Sequence, residues 1–179
     1  MESIRPDHPL RLLFCGLVEN AFCTRIGVCD PKLTGYLADL LVEFTHVERY
    51  NRVRNAQDKE LKQIAAMLAV QDEHASIDET ERERTIYRKI GDYTLFWAGV
   101  YPEHLKRSHP CKSDVLLDYV SKGKKCYAIV SELAGEGDDP PSSMFRHLSE
   151  DFEYCLYGLG LVRRGWERRR GVAGGELLY

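Results

Sequence analysis

The most constraining feature of this sequence is an apolar repeat of three and four residues that returns along most of its 179 residues. This spacing places apolar side chains on one face of an α-helix, and no stretch shows the apolar–polar alternation typical of a β-strand. A chain of this length buries roughly 70% of its unfolded surface, so it can form a core without disulfides or metals. The pattern therefore predicts an all-α bundle.

Polar residues, proline and glycine set the expected ends of the helices. Asp30 and Pro31 are residue types preferred at the N-cap and at the first helical position. Pro102 is expected to end the fourth helix. The first helix is apolar almost all round, which predicts that it is buried at the centre of the bundle. The pattern predicts about six helices, over residues 10–28, 31–49, 58–70, 78 or 79 to 101, 113 or 114 to 134, and 143–169.

The whole chain, residues 1–179, is expected to form a single helical domain. Residues 135–143, GEGDDPPSS, are rich in glycine, proline, aspartate and serine, which predicts a flexible linker. The ends of the chain, 1–9 and 171–179, are expected to be flexible.

Charge and composition argue against several classes of partner. The formal net charge is −3, which gives no overall attraction to nucleic acid or to an anionic membrane. No stretch approaches the ~20 apolar residues that span a bilayer, and the N-terminal sequence lacks the layout of a signal peptide. The six cysteines contain no CxxC pair. We therefore expect a cytoplasmic protein with free thiols and with neither a nucleic-acid nor a membrane partner.

One short stretch raises the question of a metal site. Glu43 and His46, in EFTH, have the ExxH spacing that supplies half of the ligands in di-iron helical bundles. At 100° per residue, Glu43 lies roughly 70° and His46 roughly 130° from the centre of the apolar stripe. No second ExxH follows, and Glu19 is the carboxylate for which the sequence suggests an interior position. We therefore predict no metal, no cofactor and no catalytic residue. The alternative is a helical metal- or cofactor-dependent enzyme using Glu19, Glu43 and His46.

The tyrosines indicate a different kind of site. The chain has ten tyrosines against six phenylalanines, and a buried tyrosine hydroxyl needs a hydrogen-bond partner. Hydroxyls that converge from the fourth and fifth helices would suit a small-molecule pocket. A plain core, in which the hydroxyls reach solvent at helix ends, is the alternative. The predicted ligand-binding residues are Tyr93, Trp97, Tyr119 and Tyr127.

Two further features allow two interpretations each. Glycines inside the predicted helices, such as Gly123, cost up to ~1 kcal/mol relative to alanine, so close helix packing, a kink or room for a ligand should offset them. Residues 162–170, VRRGWERRR, carry five arginines. They fit either a patch for phosphate or nucleic acid, or cations that complement a helix C-terminus. The acidic overall balance favours the second interpretation.

Four blocks of the sequence follow one another in a recognisable order: YLADLLVEFT (36–45), IGDYTLFWAGVYPEHL (90–105), GKKCYAIVSEL (123–133) and MFRHLSEDFEY (144–154). They resemble a group of uncharacterised bacterial helical proteins. That group shares a YLxxLL helix, a segment ending in an aromatic–Pro–Glu turn, and a Gly-Lys-x-x-Tyr helix. The resemblance implies a single helical domain with a fixed turn at Pro102 and Glu103, and it implies no activity.

Taken together, these features favour a binding protein over an enzyme. The chain contains no GxxxxGK[ST], GxGxxG, GxSxG or HExxH motif. We expect a non-enzymatic helical module that binds a small apolar or amphipathic ligand or a partner protein. An exposed apolar strip on such a bundle would also allow a homodimer.

Overall fold

The computed structural model describes residues 8–51, 77–108, 114–133 and 137–175, and all regular structure within those ranges is helical. The all-α prediction is confirmed, with seven α-helices in the described residues rather than about six. One π-helical segment continues the first helix. The elements are α1 (Pro9–Glu19), the π segment (Asn20–Ile26), α2 (Pro31–Asn51), α3 (Ile77–Val100), α4 (Pro102–Ser108), α5 (Val115–Leu133), α6 (Ser142–Glu150) and α7 (Phe152–Gly175).

Two boundaries differ from those expected. Pro102 follows the end of α3, but it also occupies the first position of α4, where proline is well tolerated because its missing N–H has no helical partner. The last predicted helix is split at Asp151, whose N–H bonds to the carbonyl of His147 over 2.8 Å. The predicted helix over 58–70 lies outside the described residues. Within the predicted linker, residues 137–141 are non-helical and α6 begins at Ser142.

Local chemistry explains where the π segment ends and where α2 begins. Asp30 caps α2, because its Oδ1 accepts hydrogen bonds from the N–H of Lys32 over 2.9 Å and of Leu33 over 3.4 Å. The π segment ends where the N–H of Gly27 bonds to the carbonyl of Phe22 over 2.8 Å, and Gly27 adopts a left-handed φ of 86°. The N-cap predicted at Asp30 is therefore confirmed.

The part of the described chain that is buried on nearly all sides is the C-terminal half of α3, residues 90–100. Leu95, Phe96 and Val100 are each at most 1% exposed, and the other residues of 90–100 are also buried except Asp92. The first helix buries Phe14 and Val18 but leaves Leu12 59% exposed, so the central position predicted for α1 is not confirmed. None of the described helices is long and apolar enough to cross a bilayer.

Glycine allows α3 and α5 to approach each other closely. A Cβ at Gly91 would lie 2.8 Å from Cε1 of Tyr127, and one at Gly123 would lie 2.7 Å from Oγ1 of Thr94. Both distances are shorter than van der Waals contact, so only glycine fits without movement of a neighbour. Close helix packing thus accounts for these two glycines.

Candidate functional site

An interior carboxylate joins three helices. Asp92 of α3 has a side chain that is 15% exposed. Its Oδ1 accepts hydrogen bonds from the hydroxyls of Tyr127 in α5, over 2.8 Å, and of Tyr36 in α2. The Nε of Arg88 donates to the Tyr36 hydroxyl over 3.2 Å and lies 3.9 Å from Asp92 Oδ2. Phe145 of α6 packs against the rings of both tyrosines.

Burial dominates the electrostatics of this cluster. Burial raises the pKa of Asp92 to about 6, although hydrogen bonds from Tyr36 and Tyr127 and the charge of Arg88 act in the opposite direction. The nearby charge of Glu43, itself exposed, raises the pKa of Asp92 a little further. Burial also raises the pKa of both tyrosines well above the usual value, so both remain protonated donors. Asp92 can therefore gain or lose a proton near neutral pH, and its Oδ1 is already hydrogen-bonded to the hydroxyls of Tyr36 and Tyr127.

The sequence prediction did not include Asp92, because it drew its site from one face of the fourth predicted helix, the face of Tyr93 and Trp97. Tyr93 and Trp97 lie on that face, and Asp92 lies roughly on the opposite side of the same helix. The available signal was charge: Asp92 is the one charged residue between Lys89 and Glu103. A lone carboxylate in so apolar a stretch indicates a helix that is buried all round.

The four residues predicted to bind a ligand are all buried, at 0–8% exposure. The rings of Tyr93 and Trp97 lie 6.1 Å apart in α3, and the hydroxyl of Tyr127 is bonded to Asp92. Tyr119 lies in α5, two turns before Tyr127. The Nε1 of Trp97 is buried without a hydrogen-bond acceptor among the described residues. None of the four lines the groove described below.

The residues of the metal alternative do not form a cluster in the part of the chain that the structure describes. Glu19 and Glu43 are both exposed, so the interior position suggested for Glu19 is wrong. The side chain of His46 lies outside the described residues. Among the described residues, no group of three or more histidine, cysteine, aspartate or glutamate side chains is arranged to hold a metal ion.

An open groove of about 750 Å³ lies between α7 on one side and the end of α1 and the π segment on the other. Its apolar face is formed by Leu17, Ala21 and Leu161. Its cationic face is formed by Arg25, Arg164 and Arg168. A smaller adjoining hollow of about 420 Å³ extends the groove along α7 towards Arg169.

Two glycines of α7, of which Gly165 lines the groove, bring α7 close to α1 and the π segment. A Cβ at Gly158 would collide with the ring of Phe22 and approach Ile26 Cδ1 to 2.9 Å, and one at Gly165 would lie 3.0 Å from Leu17 Cδ2. At these two glycines, α7 therefore packs closely against the π segment and α1. Because π-helical turns occur often at functional sites, the position of Arg25 within the π segment fits a binding role.

The arginines of 162–170 do different things. Arg163 does not line the groove: its Nη1 donates to the carbonyl of Val100 over 2.7 Å and contacts Glu103 Oε1 at 2.6 Å. Its Nε binds Glu167 Oε1 over 2.7 Å. Arg25 and Arg164 form no ion pair with any described residue. The sequence could not reveal this division, because it depends on which side of α7 meets α3 and α4.

Trp166 does not contribute an aromatic surface to the groove. Its ring packs edge-on against Phe14 of α1, with centroids 5.2 Å apart.

No protein-family model, curated protein or solved structure matches the chain.

Proposed function

We propose that this protein is a non-enzymatic helical module that binds a small amphipathic molecule in the groove between the π segment and α7. The observation that carries the proposal is the pairing, in one groove, of an apolar face around Leu17 and Leu161 with a cationic face around Arg25 and Arg164. A volume of about 750 Å³ lies within the range of roughly 300–1,000 Å³ that is usual for small-molecule sites.

The groove is supported by packed helices rather than by loops, which favours a site that exists before the ligand arrives. Leu17 and Ala21 are themselves part of the core, at 7% and 4% exposure. The tyrosine-rich interior fits a plain core better, because Tyr127 is bonded to Asp92 and Tyr93 packs against Trp97. The proposal therefore moves the ligand site from Tyr93, Trp97, Tyr119 and Tyr127 to the groove.

The cysteines suit the cytoplasmic setting that we propose with this function. Cys15, Cys23, Cys29, Cys126 and Cys155 are free thiols, which is usual in a reducing compartment. Binding of a partner protein or a second copy of the chain stays a prediction.

The apolar half of the proposal can be tested with hexyl, octyl and decyl phosphate, each titrated calorimetrically below its critical micelle concentration. Each buried methylene should tighten binding about fourfold, because its burial is worth about 0.8 kcal/mol. Leu161→Ser should weaken decyl phosphate binding, whereas Leu117→Ser, at a position 67% exposed on α5, should not. Equal loss in both variants, or no dependence on chain length, would contradict the proposed site.

A further inference from the structure

We infer that the groove selects a ligand with a phosphate monoester head group, and that Arg163 supports this selection by holding the carboxylate of Glu167. This inference rests on the proposed function and names the ligand class of the same site. Four observations support it: the groove's three arginines, the absence of an ion pair between any of them and a described residue, the partial neutralisation of the carboxylate that lines the groove, and the contacts that hold Arg163, which neutralises it.

The positive charge comes from two separate elements. Arg25 projects from the π segment, and Arg164 and Arg168 project from successive turns of α7. Arg168 donates from Nε to the carbonyl of Arg164 over 3.2 Å, and neither residue is paired with a described carboxylate. A guanidinium group binds phosphate oxygens through two parallel hydrogen bonds. Three guanidinium groups suit a phosphate monoester, which has several oxygens and a double charge, better than they suit a carboxylate, which has two oxygens and a single charge.

One carboxylate in the lining opposes an anion. Glu167 borders the groove and is 54% exposed, so a free Glu167 would repel a phosphate head group. Its Oε1 accepts a hydrogen bond from Arg163 Nε over 2.7 Å, which partly neutralises that charge. Arg163 is four residues before Glu167 on α7, so a helical turn brings them together.

Arg163 is held from the other side as well. Its Nη1 binds the Val100 carbonyl at 2.7 Å, and its guanidinium carbon lies 4.7 Å from the centre of the Tyr101 ring. These contacts restrict the guanidinium to the edge of α7 that faces Glu103. Arg163 is therefore a positioning residue: it acts on the ligand through Glu167 and does not line the groove.

Head-group selectivity is tested with three decyl compounds that share one tail. Decyl phosphate should bind at least about tenfold more tightly than decyl maltoside, and decyltrimethylammonium should bind most weakly. Arg164→Gln and Arg168→Gln should each weaken decyl phosphate binding by about three- to tenfold and leave decyl maltoside unchanged. Arg146→Gln, an exposed arginine of α6 outside the groove, is the matched control and should bind as the wild type does.

The role of Arg163 is tested by a double-mutant cycle with decyl phosphate. Glu167→Gln should tighten binding by about two- to fivefold, and Arg163→Gln should weaken it by a similar factor. The double variant should recover wild-type affinity or better, because no carboxylate then needs neutralising. If the double variant binds decyl phosphate as weakly as Arg163→Gln does, the loss comes from damaged folding, and the role assigned to Arg163 is wrong.

The outcomes separate this inference from the proposed function. If decyl maltoside or decyltrimethylammonium binds as tightly as decyl phosphate, the groove binds amphipathic molecules and the head-group inference is wrong. If none of the decyl compounds binds, the proposed function is wrong. Inorganic phosphate alone should bind at least about a hundredfold more weakly than decyl phosphate, because it leaves the apolar face empty. Equal binding of inorganic phosphate would identify a simple anion site and would overturn the monoester assignment.

Discussion

The Tyr127 hydroxyl donates a hydrogen bond to Asp92 Oδ1 over 2.8 Å, so an interior carboxylate of α3 is tied directly to α5. The absence of a side chain at Gly91, one residue before Asp92, gives the Tyr127 ring the room to lie against α3. Tyr36 of α2 donates to the same oxygen. One buried charge thus links helices from separate parts of the chain, and its protonation is coupled to the stability of the fold.

Replacing Asp92 by asparagine should change how stability depends on pH. Since the pKa of Asp92 is about 6 in the folded protein against an ordinary value of 3.8, the folded state binds more protons between these values. The contribution of Asp92 to stability is therefore full below about pH 4 and is lost as the pH rises through 6. At about 1.4 kcal/mol per pKa unit, the loss by pH 7 is about 3 kcal/mol.

Urea unfolding at pH 4, 5, 6 and 7 measures this effect as the difference in unfolding free energy between the wild type and Asp92→Asn. The difference should shift in favour of the variant by roughly 2–2.5 kcal/mol from pH 4 to pH 7, because the unfolded carboxyl is already partly ionised at pH 4. Ser121→Ala, at an exposed position of α5 that does not titrate, should show a constant difference. A constant difference for Asp92→Asn would show that Asp92 is not the titrating group.

Replacing Tyr127 by phenylalanine should destabilise the protein by about 1–3 kcal/mol at pH 7. The ring would keep its packing against Phe145, but the Asp92 carboxylate would lose a donor that lowers its pKa. The destabilisation should be smaller at pH 4, where Asp92 is largely protonated. Tyr157→Phe, at a position 58% exposed, should change the unfolding free energy by less than about 0.5 kcal/mol. An equal, pH-independent loss in both variants would contradict this explanation.

The sequence predicted those parts of the fold that depend on local chemistry. Asp30 and Pro31 carry the signals of a helix start within two adjacent residues, and the structure confirms the cap. Pro102 has two compatible local outcomes, the end of one helix and the first turn of another, and the sequence pattern does not distinguish them. The predicted central position of α1 was not confirmed, because its apolar residues do not reveal that Leu12 faces solvent.

Replacing Gly123 by alanine should destabilise the protein by about 1–3 kcal/mol, although alanine is the better helix former by up to about 1 kcal/mol. The new methyl group would lie 2.7 Å from Oγ1 of Thr94 and closer still to the ring of Phe152. Gly35→Ala is the matched control, because no atom lies within 4 Å of a Cβ there. Thermal or urea unfolding should show destabilisation at Gly123 and a gain of up to about 1 kcal/mol at Gly35. A gain at both sites would show that α3, α5 and α7 do not pack this closely.

The candidate site was less accessible to sequence reasoning than the fold. Arg164 and Arg168 belong to a conspicuous cluster of arginines, but Arg25 lies far away in the sequence, and only the packing of the π segment against α7 brings it to them. The periodicity of residues 10–28 gave no sign of a π-helical turn, because such a turn changes the register by one residue within a pattern that stays apolar. The relation between these arginines is a property of tertiary structure.

Replacing Arg163 by methionine should destabilise the protein by about 1–3 kcal/mol, because three connections are lost at once. The Val100 carbonyl at the end of α3 would lose its donor, and Glu103 and Glu167 would lose their common cation. Methionine retains much of the aliphatic stem, so the loss reports mainly on the guanidinium. Arg164→Met, the adjacent substitution on α7, removes an arginine that has no ion pair with any described residue and should change the unfolding free energy by less than about 0.5 kcal/mol. Because Arg163 is only 25% exposed, about half or more of its effect should persist in 1 M salt, where the contribution of exposed ion pairs is screened. If the two variants unfold at the same urea concentration, Arg163 does not hold α3, α4 and α7 together.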